Sequence, residues 1–424
     1  MDINRKTAYE VLFEIEKNAA YSNFALNDFI KKNKPENEAF VRELVYGVLE
    51  NRLLLDYYLD ALIPRGIGKL KKQDLTLLRM GLYQLRFMQS VPAYAAVNET
   101  VNMAKRLARG REGFINGVLR GYMKKADEIA LPDRKTDLTA YLSVRYSAAA
   151  WIVKLWTDSY GEEKAEELLA AANRTPQMSI RVNTMKTSAE ELMDMLRNEG
   201  FSAELSEKTP RALLVSGSRL LASDAYEQGL FSVQDIASIM VSDILDAQPG
   251  DSVIDVCAAP GGKTMATAER MQNCGKITAM DLYGHKLSLI ENQAKRCGIS
   301  IISTKQHDST ESCTELKSTA DRVLADVPCS GLGVIGRKPE IKYKENVDLN
   351  ELSQRQAKIL EAASEYVKKG GVLVYSTCTI NRSENENQIE EFLSKHEDFK
   401  AERQLQLLPT EGTDGFFICR MVRG

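Results

Sequence analysis

One stretch, Ser252–Thr264 (Ser-Val-Ile-Asp-Val-Cys-Ala-Ala-Pro-Gly-Gly-Lys-Thr), constrains the fold more than any other part of the chain. It opens with a short apolar run of the kind that forms a buried parallel strand. The run breaks at Ala-Pro-Gly-Gly and resumes as a helical pattern that continues to Arg270. Glycines between a strand and a helix let backbone N–H groups approach a ligand closely. The stretch therefore predicts a phosphate or nucleoside site in an α/β domain.

The residue spacing within and after this stretch excludes two classes of nucleotide-binding site. A Walker A loop needs a glycine where Cys257 stands, and the dinucleotide fingerprint G-x-G-x-x-G is absent. Asp281 closes the next apolar run, about twenty residues beyond the glycines, where a carboxylate can accept hydrogen bonds from both ribose hydroxyls. A nucleoside site without a phosphate site favours S-adenosylmethionine. A glycine turn that binds no ligand remains the alternative on this pattern alone.

The C-terminal half alternates apolar runs with helical patterns, which predicts a doubly wound parallel sheet with its ligand at the carboxyl ends of the strands. We expect a Rossmann-like α/β domain over residues 236–424. Its strands are predicted at 252–257, 276–281, 300–304, 321–327 and 371–377, with a further apolar run at 415–422.

The N-terminal part has a different pattern. Residues 1–125 carry apolar stripes with a helical period, such as Val41/Leu44/Val45/Val48, and predict an all-α domain. Residues 126–145 are predicted as a linker. Residues 146–235 are predicted as a small α+β connector, with a β-α-β-β order over 178–215. Such a unit either carries RNA or serves as a packing spacer.

Charge and cysteine content limit the partners and the compartment. Residues 1–125 contain 21 Lys or Arg against 14 Asp or Glu, a balance of +7, which leaves −10 for the remainder of a chain of net charge −3. This asymmetry favours a polyanionic partner, with a solvated helical surface as the alternative. Seven cysteines without a C-x-x-C pair and only three histidines predict a cytoplasmic protein without a metal site. We also expect no membrane segment and a monomer.

Two further strand ends carry reactive side chains. Asp326 ends one apolar strand and is followed by Pro328-Cys329-Ser330-Gly331, and Cys378 ends another. A thiolate that adds to carbon 6 of cytosine makes carbon 5 nucleophilic enough to take a methyl group. An acid at N3 stabilises the adduct, and a second mild base removes the proton from carbon 5. Cys378, Asp326 and Cys329 could meet these needs, although each alone reads equally as a core cysteine, a cap or a turn.

Three phrases of the N-terminal domain follow one another in the chain: Leu78-Arg-Met-Gly-Leu-Tyr-Gln-Leu, Val97-Asn-Glu-Thr-Val-Asn-Met-Ala-Lys105 and Phe114-Ile-Asn-Gly-Val-Leu-Arg120. With these phrases the domain resembles the NusB family of RNA-binding domains. The resemblance implies contact between basic side chains of this domain and RNA phosphates.

The C-terminal motifs resemble the RNA cytosine-5 methyltransferases of the NOL1/NOP2/Sun (Fmu) family. They are Cys257-Ala-Ala-Pro-Gly-Gly-Lys-Thr264, Asp326-Val-Pro-Cys-Ser-Gly-Leu-Gly333 and Ser376-Thr-Cys378-Thr. The resemblance implies that Cys378 is the nucleophile and that Cys329 assists product release. It also implies contacts with S-adenosylmethionine from Cys257, Ala258, Ala259, Pro260, Gly261, Gly262, Lys263, Asp281, Asp308 and Asp326. DNA cytosine methyltransferases use the Pro-Cys cysteine as nucleophile instead, so the two cysteine roles need a test.

With a NusB-like domain in front, the resemblance implies 16S ribosomal RNA as substrate, either free or in the assembling small subunit. The same chemistry on tRNA or another rRNA site, and a non-catalytic RNA-binding assembly factor, are the alternatives. The basic phrase after Gly333 departs from the family at Gly336, Lys338 and Tyr343. Arg337, Lys342 and Lys344 are still predicted to supply positive charge near the base pocket.

Overall fold

The chain folds into two compact units. The computed structural model describes residues 1–18, 22–174, 176–217, 219–344 and 347–424. One unit comprises Met1–Arg174 together with Ile335–Glu345, and the other comprises Thr175–Val334 together with Asn346–Gly424. Two segments thus group differently from the sequence prediction. The helices before residue 175 belong with the N-terminal unit, and so does the short segment that follows the Pro-Cys-Ser-Gly motif.

The first unit is helical, because its apolar stripes bury against one another. Val41, Leu44, Val45 and Val48 are each at most 3% exposed. The helices are α1 Ile3–Asn18, α2 Ser22–Asn33, α3 Glu38–Glu50, α4 Arg52–Leu62, α5 Lys72–Phe87, α6 Ala93–Leu107, α7 Glu112–Lys125, α8 Leu138–Tyr146, α9 Ala150–Tyr160 and α10 Glu162–Ala172.

Helix α8 begins at Leu138, within the segment 126–145 that the sequence predicts as a linker. The Asp137 side chain caps this helix by accepting a hydrogen bond from the Ala140 backbone N–H at 2.8 Å. The short helix carries little of the apolar periodicity that marks its neighbours, since Leu142 is its only buried residue among those described. That weak pattern explains why the sequence reads as a linker.

The segment Ile335–Glu345 contributes a buried lysine to the helical unit. Lys342 is 1% exposed, and its Nζ donates to the backbone carbonyls of Glu50 at 3.2 Å and Tyr146 at 3.4 Å, and to the Asn173 side chain. Burial lowers the pKa of Lys342 to about 8 against the opposing attraction of Glu50. The prediction that Lys342 supplies exposed positive charge for RNA is therefore wrong, because its ammonium group binds carbonyl oxygens inside the unit.

The second unit begins with a small antiparallel sheet in the order β2-β3-β1-β4. Its elements are β1 Met178–Val182, α11 Ala189–Asn198, β2 Ser202–Leu205, β3 Ala212–Ser216, α12 Asp224–Glu227 and β4 Phe231–Val233. Ser188 and Glu191 form a capping box that starts α11. The central strand β1 is buried at every position after Met178. Strand β1 is therefore packed on both faces, as the packing role predicted for the connector requires.

The larger sheet has the order β10-β11-β9-β8-β5-β6-β7. Its elements, with their helices, are α13 Ile236–Leu245, β5 Ser252–Asp255, α14 Gly262–Arg270, β6 Lys276–Asp281, α15 Gly284–Cys297, β7 Ile302–Gln306, β8 Ala320–Asp326, α16 Leu349–Ser364, β9 Val367–Thr377, α17 Glu386–Lys395, β10 Phe399–Leu407 and β11 Phe416–Arg423. Strands β5 to β9 pair in parallel as predicted, but β11 pairs antiparallel with both β9 and β10. The sequence prediction missed the edge strand β10, whose interior carries charged residues that interrupt the apolar pattern.

A buried ion-pair network joins the small sheet to helix α14. Arg181 on β1 binds both carboxylate oxygens of Glu269 at 2.8 Å, and the two side chains are 0% and 1% exposed. Arg211 reaches the same carboxylate at 3.3 Å, and Arg181 also donates to the carbonyl of Gly262 at 2.8 Å. The network therefore holds α14 near both of its ends.

Within the described residues, no helix is long and apolar enough to cross a membrane.

Replacement of Arg181 by Met should destabilise this part of the second unit by about 3–5 kcal/mol, because it leaves the buried Glu269 carboxylate with Arg211 as its one remaining cationic partner among the described residues. The check is amide hydrogen exchange over 178–182 and 262–270, which should become faster. The matched control is Lys395→Met, which breaks a pair with Glu391 whose two side chains are both more than half exposed. This substitution should lower the free energy of unfolding by less than about 1 kcal/mol. Equal effects of the two substitutions would contradict the assigned role of Arg181.

Candidate active site

Pairing of β8 with β9 brings two of the predicted motifs together. The parallel register sets Asp326 opposite Ser376, the Ser376 hydroxyl donates to Asp326 Oδ1 at 2.8 Å, and the Val327 N–H donates to the Ser376 carbonyl at 3.0 Å. The chain continues from these paired residues to Cys329 and Cys378. Their sulfur atoms lie 3.3 Å apart.

The two thiols differ in their surroundings. The hydrogen bond with Cys378, together with burial, raises the pKa of Cys329 well above its usual range. Cys329 therefore keeps its proton at neutral pH and can donate it toward the sulfur of Cys378. A thiol that donates to a neighbouring sulfur stabilises negative charge on that sulfur.

Asp326 also forms an ion pair with Lys263, which follows the glycine turn. The distance from Lys263 Nζ to Asp326 Oδ2 is 2.7 Å. Burial disfavours the charged form of Lys263, but the attraction of Asp326 outweighs it and raises the pKa of Lys263. Asp326 thus accepts hydrogen bonds from a cation and a hydroxyl, an arrangement that suits an ionised carboxylate.

The glycine turn is shaped by one left-handed residue and by an aspartate from the next strand. Gly261 has a backbone φ of +103° at the start of α14, a conformation that residues other than glycine rarely adopt. Asp281 accepts a hydrogen bond from the Ala259 N–H at 3.3 Å and another from the Tyr283 N–H at 3.0 Å. These contacts fix its carboxylate at the carboxyl ends of β5 and β6.

A cavity of about 760 Å³ opens at these strand ends, a volume in the range of small-molecule sites. Seven predicted site residues line it: Cys257, Ala259, Asp281, Asp308, Asp326, Cys329 and Cys378. The other predicted residues form the backbone of the turn or the start of α14: Ala258, Pro260, Gly261, Gly262 and Lys263. Asp308 lies at the open rim, where hydrogen bonds from Thr310 lower its pKa.

Helix α16 supplies a lining that the sequence analysis missed. Glu351, Gln354, Arg355 and Lys358 all face the cavity. Their spacing of three and four residues is that of one helix face, and this polar stripe opposite an apolar one was the available signal. Tyr283 and Lys286 from the start of α15 were missed as well. Within the described residues, no group of three or more His, Cys, Asp or Glu could hold a metal ion.

Comparison with known proteins identifies the family. A family model described as 16S rRNA methyltransferase RsmB/F matches residues 242–422, one described as NusB family matches residues 2–124, and one described as Methyltr_RsmF/B-like, ferredoxin-like domain matches residues 148–220. The probable ribosomal RNA small subunit methyltransferase B of Bacillus subtilis (strain 168) is 38% identical, covering 98% of each chain. The chain belongs to the ribosomal RNA small subunit methyltransferase B family.

Two more relatives extend this result. Ribosomal RNA small subunit methyltransferase B of Cronobacter sakazakii (strain ATCC BAA-894) is 30% identical over 99% of this chain and 98% of its own. The crystal structure of PH0851 superposes with a TM-score of 0.85 and 28% identity, covering 99% of this chain and 98% of that one. The predicted fold, a Rossmann-like methyltransferase domain with a NusB-like helical domain and a small α+β unit, is confirmed.

Membership in a methyltransferase family also confirms S-adenosylmethionine as the cofactor. The described residues fit it in two respects. The cavity has sufficient volume, and the Asp281 carboxylate is held at its wall by backbone N–H groups.

The stability of the second unit should depend on pH through Asp255, which ends β5 under the glycine turn. Burial, with added repulsion from Asp326, raises the pKa of Asp255 to about 7, against the hydrogen bond from Thr264. The folded chain then keeps a proton that the unfolded chain releases near pH 4, so wild-type stability falls as the pH rises from about 4 to 7.

Replacement of Asp255 by Asn removes this titration, and the variant should gain stability relative to wild type by up to about 1.4 kcal/mol per pH unit over that window. Urea unfolding followed by circular dichroism at several pH values measures the difference. Asp194→Asn, an exposed site on α11, is the control and should show a constant difference from wild type. A pH-independent difference for Asp255→Asn would rule out the raised pKa.

Proposed function

We propose that the chain transfers a methyl group from S-adenosylmethionine to carbon 5 of a cytosine in 16S ribosomal RNA, through a covalent bond between Cys378 and carbon 6. The observation that carries this proposal is the pair of thiols 3.3 Å apart at the wall of the cavity, beside the Lys263–Asp326 ion pair. A methyltransferase acting on an already nucleophilic nitrogen or oxygen would need no such thiol pair.

The first role belongs to Cys378. Its thiolate adds to carbon 6 of the cytosine, and the electrons of the 5,6 double bond make carbon 5 nucleophilic. When bound, S-adenosylmethionine supplies an electrophilic methyl group on its sulfonium. The proton that Cys378 gives up passes by way of the Asp326 carboxylate to N3 of the adduct, and Lys263 at 2.7 Å holds this carboxylate in place.

The second role belongs to Cys329. After methyl transfer, carbon 5 carries both its hydrogen and the new methyl group. The bond from Cys378 to carbon 6 removes the hydrogen bond that raises the pKa of Cys329, so Cys329 can release its proton to water. Its thiolate then takes the proton from carbon 5, and the electrons of that C–H bond restore the 5,6 double bond. The electrons of the sulfur–carbon bond leave with Cys378, and the proton at N3 returns to Asp326.

The substrate assignment rests on the relatives and on the helical unit. The curated relatives are named for the small-subunit ribosomal RNA, and the NusB family model matches residues 2–124, where positive charge exceeds negative charge. Carbon 6 is blocked in a stacked helix, so we propose that the target cytosine is unstacked or lies outside a duplex.

The cysteine roles are tested with labelled S-adenosylmethionine and unmodified 16S rRNA. Cys378→Ala should lose methyl incorporation by at least about 10³-fold, because removal of the nucleophile removes the covalent route. It should also form no denaturation-resistant adduct with the RNA. Cys329→Ala should accumulate that adduct, since the methylated base cannot be released. Gel electrophoresis under denaturing conditions measures the adduct.

The control is Cys274→Ala, which removes an exposed cysteine that does not line the cavity. It should match wild type in both assays. An adduct that persists in Cys378→Ala and is lost in Cys329→Ala would reverse the two roles. Absence of methyl transfer by wild type to any RNA would favour a non-catalytic assembly factor.

The substrate is tested by offering wild type equal amounts of unmodified 16S rRNA, assembling small subunits, 23S rRNA and bulk tRNA. Methyl incorporation at carbon 5 of one cytosine should occur in 16S rRNA, either free or in particles, and nuclease digestion with mass spectrometry locates it. Faster incorporation into tRNA or 23S rRNA would support the proposed chemistry but contradict the assignment of 16S rRNA as the substrate.

A further inference from the structure

A fully buried carboxylate lies behind the two cysteine loops. Glu384 ends the short 3-10 helix Arg382–Glu384 and is 0% exposed. A buried carboxylate is costly unless hydrogen bonds replace its water. The residue does not line the cavity, and none of the steps proposed above uses it.

Glu384 binds three separate segments at once. Its Oε2 accepts from the Ser330 N–H at 2.8 Å and from Gln356 Nε2 at 3.0 Å. Its Oε1 accepts from the Ser330 hydroxyl at 2.6 Å and from Asn381 Nδ2 at 3.0 Å. Ser330 directly follows Cys329, Asn381 lies on the loop after Cys378, and Gln356 belongs to α16. One carboxylate thus ties the two cysteine loops to each other and to the cavity helix.

The neighbouring contacts reinforce this arrangement. The Ser330 hydroxyl lies 2.8 Å from the Thr379 hydroxyl, and Gln356 also donates to the Pro328 carbonyl at 2.9 Å. The main chain of Glu384 is held as well, because the Tyr375 hydroxyl on β9 donates to its carbonyl at 2.7 Å. The carboxylate therefore has a defined position relative to the strand that carries Cys378.

The chemistry of these partners requires an acceptor. The Ser330 N–H, Gln356 Nε2 and Asn381 Nδ2 can only donate, and the Ser330 hydroxyl donates to Glu384 Oε1 as well. An ionised carboxylate offers acceptor sites on both oxygens. A glutamine of the same size would turn an amide N–H₂ toward donors, leaving buried groups without partners.

We propose that Glu384 is a positioning residue that sets the distance between the sulfur atoms of Cys329 and Cys378. This inference rests on the proposed two-cysteine mechanism, in which one thiol acts at carbon 6 and the other at carbon 5 of the same base. The two loops have a further link, from the Gly333 N–H to the Cys378 carbonyl at 3.0 Å. Loss of the carboxylate should therefore shift the loops without unfolding the site.

The test compares Glu384→Gln with Glu390→Gln, the same change at an exposed position on α17. For Glu384→Gln, kcat for methyl transfer to 16S rRNA should fall about 10- to 100-fold, the effect of misplacing a reacting group by a fraction of an ångström to an ångström. The dissociation constant for S-adenosylmethionine should stay near wild type, while the thermal midpoint should fall because buried donors lose their acceptor. Glu384→Asp, which keeps the charge, should recover part of the loss. Glu390→Gln should be unchanged throughout.

A second readout follows the thiols without using the enzyme's activity. Dibromobimane becomes strongly fluorescent when it bridges two nearby thiols, and Cys329→Ala supplies the background from other cysteines. Cross-linking of Cys329 to Cys378 should be slower in Glu384→Gln than in wild type. Ser330→Ala should show a smaller change in the same direction, and the double variant should be less than additive, because both side chains serve one hydrogen-bond set.

The possible results separate the two hypotheses. Wild-type cross-linking and kcat in Glu384→Gln would overturn the positioning role. A loss of kcat that is accompanied by a matching loss of cofactor affinity would overturn it in favour of a general structural role. If Glu384→Gln does not fold, the same measurements on Ser330→Ala decide between the two roles. Failure of wild type to methylate cytosine would sink the proposed function, while slower cross-linking in Glu384→Gln would still support the positioning of the thiols.

Discussion

The parallel pairing of β8 with β9 is the constraint on which the rest of the site depends. With Asp326 opposite Ser376, the loops that leave the two strands begin level with each other, and their cysteines meet at 3.3 Å. A shift of one residue in this register would turn the side chains at these strand ends to the opposite face of the sheet. The mixed edge of the sheet supports the pairing, since β11 covers β9 on its other side and closes against it antiparallel.

Helix α14 connects this arrangement to the cofactor side. Its first turn carries Lys263, which holds Asp326, and its last turn carries Glu269, which is buried between Arg181 and Arg211. The small sheet thus acts on the glycine turn through the helix rather than through a ligand contact. The buried arginines of the small sheet thereby hold the helix that follows the glycine turn, and both elements belong to the second unit.

The sequence predicted most of what depends on local patterns. Apolar runs predicted the strands that carry Asp281, Asp326 and Cys378, because a buried parallel strand needs a continuous apolar stretch. The glycine turn and both cysteine motifs were found because backbone geometry and reactivity restrict residue type at those positions. Strand β10 and helix α8 were missed, since an exposed edge strand and a short, half-buried helix leave little apolar periodicity.

The sequence by itself determined the class of fold and the cofactor, and it predicted the site residues, because each of these follows from residue types at short separations. Only the tertiary structure decided which groups share a site. The stripe of α16 faces the cavity, Lys342 is buried among carbonyl oxygens, and Glu384 bridges two loops that are more than forty residues apart in the chain. Such contacts join distant segments through hydrogen bonds whose partners leave no periodic signal. Their energetic value depends on burial, which is a property of the folded chain.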